Sequence, residues 1–71
     1  MEMRTGQCFI LYGEGTREGY FFTGIKEREN GQTMLVMCKM LPEDKITMDA
    51  FLKIEEQEYR AKVNDGSIEE F

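Results

Sequence analysis

A mainly β domain, built as a small five-stranded bent antiparallel sheet or small barrel, is the fold this sequence predicts, and three observations carry the prediction. Asn30-Gly31 stands between two apolar, β-favouring runs, Tyr20 to Ile25 and Met34 to Leu41. Asn-Gly so flanked is the strongest short-range hairpin signal, because both central residues of a type I′ turn need positive φ. Turn residues recur about every eight to twelve positions, as in small all-β domains. Gly24 interrupts the second run, and a glycine inside a strand marks a bulge or sharp bend that lets a small sheet curl.

Strand one is predicted over Gly6 to Tyr12, a continuous β-favouring run bounded by glycines. Gly13 to Gly19 follows as a loop; its glycines do not have the spacing of a phosphate cradle, and its two glutamates would repel one. Strand two covers Tyr20 to Arg28 and strand three Thr33 to Leu41, stopped by Pro42. A two-residue turn sets Glu29 opposite Gln32. The register then pairs Ile25 with Val36, Thr23 with Cys38 and Phe21 with Met40 on one face. On the other it pairs Lys26 with Leu35, Gly24 with Met37, Phe22 with Lys39 and Tyr20 with Leu41. The first face is the more apolar and is assigned to the core; the second, mixing lysines with large apolar groups, is assigned to a half-exposed surface.

Pro42 to Lys45 is a turn, and residues 47–63 have two readings. With period two, Ile46, Met48, Ala50, Leu52 and Ile54 share one face, and after a turn at Glu56-Gln57 so do Tyr59, Ala61 and Val63. The rival is one helix from about Met48, capped by Thr47 and ended near Gly66, giving an α+β fold of a three-stranded meander plus one helix. Composition supports the helix, whereas its best apolar stripe is broken by Glu55, so the balance falls to two strands. The tail, residues 64–71, begins with the turn signal Asn-Asp-Gly and is either a loose tail or a short edge strand.

Strand one, Phe9-Ile10-Leu11-Tyr12 followed by an acidic loop, resembles the opening of Src-homology-3 domains over about a dozen positions. That resemblance implies a barrel and no ligand, since without tryptophan the chain lacks the central aromatic of their proline-peptide groove.

A chain of 71 residues makes a single small domain, and one of this size buries only roughly 60% of its unfolded surface. Partner subunits are a common remedy. Histidine is absent and the two cysteines lie thirty positions apart. The commonest acid/base, pH switch and metal ligand are therefore missing, no thiol has an imidazole to activate it, and neither an enzyme nor a cofactor is expected. Cys8 and Cys38 sit in apolar runs and read as buried thiols; whether they are close in space is open. No basic stretch followed by an apolar one opens the chain, and its longest unbroken apolar run, Met34 to Cys38, is too short to span a bilayer. A cytoplasmic protein without a membrane contact is the expectation.

Residues 1–42 balance their charges and residues 43–71 carry the whole net charge of −5. An acidic chain is repelled by phosphate backbones, so nucleic acid is a disfavoured partner. Six methionines and eight aromatics are more large apolar groups than one small core easily hides. The expected function is therefore a non-enzymatic protein-binding module, a small subunit or adaptor, with a protein partner or a second copy of itself as a homo-oligomer. The expected contact residues are Tyr20, Phe22, Lys26, Leu35, Met37 and Lys39. Two alternatives stand beside it. One is an acidic decoy imitating nucleic acid through Glu43, Asp44, Asp49, Glu55, Glu56 and Glu58; the other is a small-barrel nucleic-acid binder stacking bases on Tyr20, Phe21 and Phe22.

Overall fold

The structure, a computed structural model, describes residues 3–71. Five strands make one antiparallel sheet: β1 (Cys8–Gly13), β2 (Thr16–Glu29), β3 (Gln32–Lys39), β4 (Phe51–Glu55) and β5 (Ile68–Glu70), in the order β4-β3-β2-β1-β5. A single α-helix, α1 (Glu56–Asp65), connects β4 to β5. The two outer strands, β4 and β5, are not paired with each other among the described residues, so the sheet is bent but not closed into a barrel. No helix of the described residues is long and apolar enough to cross a membrane.

The central hairpin turns where Asn-Gly dictates. Asn30 has φ of 50° and Gly31 of 78°, and Glu29 stands opposite Gln32. Pairing continues as expected to Lys26 opposite Leu35, then a bulge shifts it, so that Phe22 meets Met37, Phe21 meets Cys38 and Tyr20 meets Lys39. The expected partners beyond the bulge were thus displaced by two positions. A shift of two leaves every side chain on its face. Gly24, with φ of 90°, makes the bulge, and a Cβ there would come within 2.5 Å of the Thr5 hydroxyl. Thr23 repairs the interrupted ladder: its hydroxyl donates to the Val36 carbonyl at 2.8 Å and accepts from the Ile25 N–H at 3.2 Å. The loop expected over Gly13 to Gly19 is shorter than that, because β2 already starts at Thr16, opposite Gly13.

Between β3 and β4 the chain makes two short 3-10 turns, Glu43–Lys45 and Met48–Ala50. The two-strand reading of residues 46–63 is corrected here. β4 keeps Leu52 and Ile54, opposite Met37 and Leu35, but Tyr59, Ala61 and Val63 belong to α1. The one-helix alternative also started too early, at Thr47 instead of Glu55. Glu55 caps the helix, its carboxylate accepting from the Glu58 N–H at 2.9 Å, and Glu56 and Glu58 complement the positive end of the helix. Gly66 in the left-handed conformation ends it, its N–H donating to the Val63 carbonyl at 3.3 Å. The tail then becomes the short edge strand β5, with Ile68 opposite Leu11 and Glu70 opposite Phe9.

The core lies between the sheet and α1. Phe9, Tyr20, Phe22, Leu35, Met37, Ile54, Tyr59 and Ile68 form one buried cluster, with Met3, Leu11, Leu52 and Val63 packed against it. Phe9 is its hub, stacked on Tyr20 at 5.7 Å and edge-on to Tyr59 at 5.3 Å between ring centroids. Burial of each such side chain stabilises by about 1.5–3 kcal/mol. The two phenols reach carboxylates at the rim, Tyr20 donating to Glu18 and Tyr59 to Glu70, each at 2.9 Å.

The face assignment is therefore reversed for the central hairpin. The register grouped the residues correctly, but the face of Tyr20, Phe22, Leu35 and Met37 is the buried one. The physical reason is α1. A hairpin's alternation says which residues share a face, whereas burial depends on where the covering element packs, and α1, through Tyr59 and Val63, packs on the face that these residues share with Phe9, Ile54 and Ile68.

Candidate functional site

Strand alternation places the remaining apolar side chains on the opposite face of the sheet. The three registers align Cys8, Phe21, Cys38 and Phe51 in one row across β1, β2, β3 and β4. Ile10 and Gly19 pair in the neighbouring row, and Met40 extends it, its N–H donating to the Gly19 carbonyl at 3.1 Å. The Met40 sulfur lies over Gly19, 3.5 Å from where a Cβ would stand, so this glycine leaves room for it. Cys38 has a small side chain flanked by Phe21 and Phe51 on the adjoining strands and is buried, as is Val36. Their larger neighbours stay open: Phe51 is 43% exposed, Met40 48%, Ile25 53% and Tyr12 37%. The helix, which lies on the other face, shields none of these.

Charge borders this apolar stripe at its ends and on the outer strands, where Lys53 stands opposite Val36 and Glu69 opposite Ile10. At the hairpin end the Lys53 ammonium sits 2.7 Å from Glu27 and 3.3 Å from Glu29, and those hydrogen bonds raise its pKa. At the other end Arg17, opposite Tyr12, is exposed and has no carboxylate within ion-pair distance among the described residues. The Tyr12 hydroxyl beside it donates to Glu69 at 3.4 Å.

Cys8 and Cys38 pair with Phe21 from its two sides, so they are two strand spacings apart, roughly 9.5 Å between Cα atoms. That exceeds the reach of a disulfide, and both are free thiols. Cys38 is buried and Cys8 half-buried.

A second concavity lies between α1 and the sheet, with a volume of about 620 Å³. Leu35, Tyr59 and Val63 supply its apolar wall; Lys26 and Arg60 reach Glu56 at its mouth, at 3.9 and 3.6 Å. Glu70, which also lines it, already accepts from the Tyr59 hydroxyl. Acids and bases balance around this cavity and no activated nucleophile faces it.

Of the contact residues expected from sequence, Tyr20, Phe22, Leu35 and Met37 are 5%, 2%, 1% and 0% exposed and belong to the core. They cannot meet a partner without unfolding. Lys26 stands exposed at the cavity mouth, and Lys39 pairs with Glu18 at 3.5 Å. The acidic residues do not form one row. Glu43, Asp44 and Asp49 are exposed on the 3-10 turns, Glu55 is spent as helix cap, Glu56 pairs with Lys26 and Arg60, and Glu58 is exposed on α1. The open stripe contains Phe21, Ile25 and Met40, which the register had grouped together, and adds Ile10, Tyr12 and Phe51 from strands whose pairing was not expected.

No family model matches the chain, and no curated protein or solved structure does so either.

Proposed function

We propose that the chain is a non-enzymatic protein-binding module whose contact surface is the sheet face left open by α1, centred on Phe21, Met40 and Phe51. One observation carries this reading: four exposed apolar side chains, Tyr12, Ile25, Met40 and Phe51, share the sheet face of Phe21, while Leu41 after β3, Met48 on the second 3-10 turn and Phe71 at the last position are exposed apart from the strands. Isolated exposed apolar groups need no explanation, but an apolar patch on one sheet face with charge around its border has the anatomy of an interface. Free thiols suit a reducing compartment, and the cytoplasm is the proposed setting. Base stacking has lost its support, because Tyr20 and Phe22 are buried. The decoy reading has lost its own, because the acids are divided between the 3-10 turns and the helix.

The test compares wild type with the double substitution Met40→Ser/Phe51→Ser as baits in affinity capture from the native cell. Both positions are more than two-fifths exposed, so melting temperatures are expected to agree closely. Loss of the specifically captured proteins supports the reading. Recovery of the same proteins by both baits overturns it.

A further inference from the structure

The open stripe is self-complementary about its own middle, and from this we infer that its partner is a second copy of the chain, stacked face to face about a two-fold axis. The inference rests on the reading of that face as a protein-contact surface.

The argument starts from ladder positions on β2. Arg17 lies four residues before Phe21. Glu27 lies opposite Met34, which is four residues from Cys38, the partner of Phe21. The bulge absorbs the two extra residues of β2 between Phe22 and Lys26. Arg17 and Glu27 therefore stand at equal ladder distances on either side of the Phe21–Cys38 row, roughly 13 Å each. Both share the open face, since Arg17 pairs with Tyr12 and Glu27 with Met34.

A two-fold axis running along the row Cys8, Phe21, Cys38, Phe51 keeps each strand over its own copy and reverses its direction. Phe21 then meets the partner's Phe21, and Phe51 the partner's Phe51, as an isologous interface requires. The same operation sets Arg17 over the partner's Glu27, twice. On the open face the hairpin end carries Glu27 and Glu29 around one Lys53, while Arg28 between them turns to Thr33. Glu55 on the adjoining strand adds a further acid there, although its carboxylate also caps α1. Arg17 has no ion-pair partner within its own chain among the described residues, and Glu69 accepts from the hydroxyl of Tyr12, the residue opposite Arg17.

The central row Cys8, Phe21, Cys38, Phe51 holds no charged side chain, and the charges beside it, Glu69 next to Ile10 and Lys53 next to Val36, stand on the two outer strands.

Five strands at about 4.8 Å and five residues at about 3.3 Å give a footprint of roughly 400 Å² per copy. Two copies then remove roughly 800 Å² from water, below the roughly 1,200 Å² at which stable interfaces begin and in the range of weak, transient ones. The pair is accordingly a reversible dimer that forms over micromolar concentrations.

The experiment is sedimentation equilibrium of the purified full chain from about 1 to 500 μM, for wild type, Arg17→Glu, Glu27→Arg and the double reversal. Circular dichroism at the lowest concentration checks that each is folded. Wild type is expected to pass from monomer to dimer mass. Each single reversal should weaken the dimer roughly tenfold, since two pairs are lost at once, and the double reversal should recover most of the loss. If Glu27→Arg alters the fold through repulsion with Lys53, a thiol cross-link carries the test. Cys8 should join the partner's Cys8 through a bismaleimide spanning about 10 Å, the spacing of stacked sheets, and at equal micromolar concentration several-fold faster in wild type than in Arg17→Glu. Monomer mass throughout, or single reversals without effect, overturns the second-copy assignment. If the chain is monomeric and Met40→Ser/Phe51→Ser still loses its captured proteins, the contact face stands and its partner is a different protein; if captured proteins are also unchanged, both readings fail.

Discussion

Phe21 and Phe22 are neighbours in sequence and opposites in environment: Phe22 is 2% exposed in the core beneath α1, while Phe21 is half-buried on the open face between Cys8 and Cys38. One peptide unit of strand alternation separates a residue that holds the fold together from one placed to meet a partner. Replacing each by serine should separate the two roles. Phe22→Ser removes a core ring and buries a hydroxyl, and is expected to cost about 3–5 kcal/mol. Phe21→Ser should cost on the order of 1 kcal/mol. Urea unfolding measures both, and equal losses would show that α1 covers the sheet differently.

The bulge at Gly24 is held by a close approach. Gly24→Ala meets both the positive φ of 90° and the Thr5 side chain, and should lower stability by about 1–3 kcal/mol. Adding Thr5→Gly should return the steric part and leave the backbone part, so the double variant melts between Gly24→Ala and wild type. A double variant no better than Gly24→Ala would mean that Thr5 contributes nothing to the strain.

Glu55 joins β4 to α1 through one carboxylate, bonded to the Glu58 N–H at 2.9 Å. Glu55→Ala should cost about 1 kcal/mol, the ordinary loss for a helix cap, and reduce the helical signal at 222 nm before the sheet melts. Glu55→Asp or Glu55→Ser, with shorter capping side chains, should retain more of it.

Alkaline pH should unfold the protein through its buried phenols. Burial, and then the Glu18 carboxylate that accepts its hydrogen bond, push the Tyr20 pKa up to about 12; burial and Glu70 raise that of Tyr59 as well. For a group whose folded pKa is raised, the stabilisation is full below the unfolded value, near 10 for tyrosine, and is lost as pH climbs through the folded value. The melting temperature should therefore fall from about pH 10 toward 12. Tyr20→Phe should make that fall shallower. An unchanged pH profile in Tyr20→Phe would place the sensitive group elsewhere, with the Lys53 ammonium, whose pKa Glu27 and Glu29 raise, as the next to examine.

What this sequence determines by itself is local. Asn30-Gly31 prescribes the hairpin and its register from Glu29–Gln32 to Lys26–Leu35, Gly24 marks the bulge, and alternation sorts Phe21, Val36 and Cys38 from Phe22, Leu35 and Met37, because these follow from φ preferences and the period of a strand. Two outcomes belong to the tertiary structure. The segment after β4 becomes a helix starting at Glu55, which lacks the short side chain of the usual caps and so gives little local sign of the boundary. That helix, tethered between β4 and β5, packs on the face of Phe9, Tyr20, Phe22, Leu35 and Met37 and leaves Phe21, Met40 and Phe51 open. Both faces of the hairpin are apolar enough to be a core, and only the side on which α1 packs decides which becomes the interior and which remains for a partner.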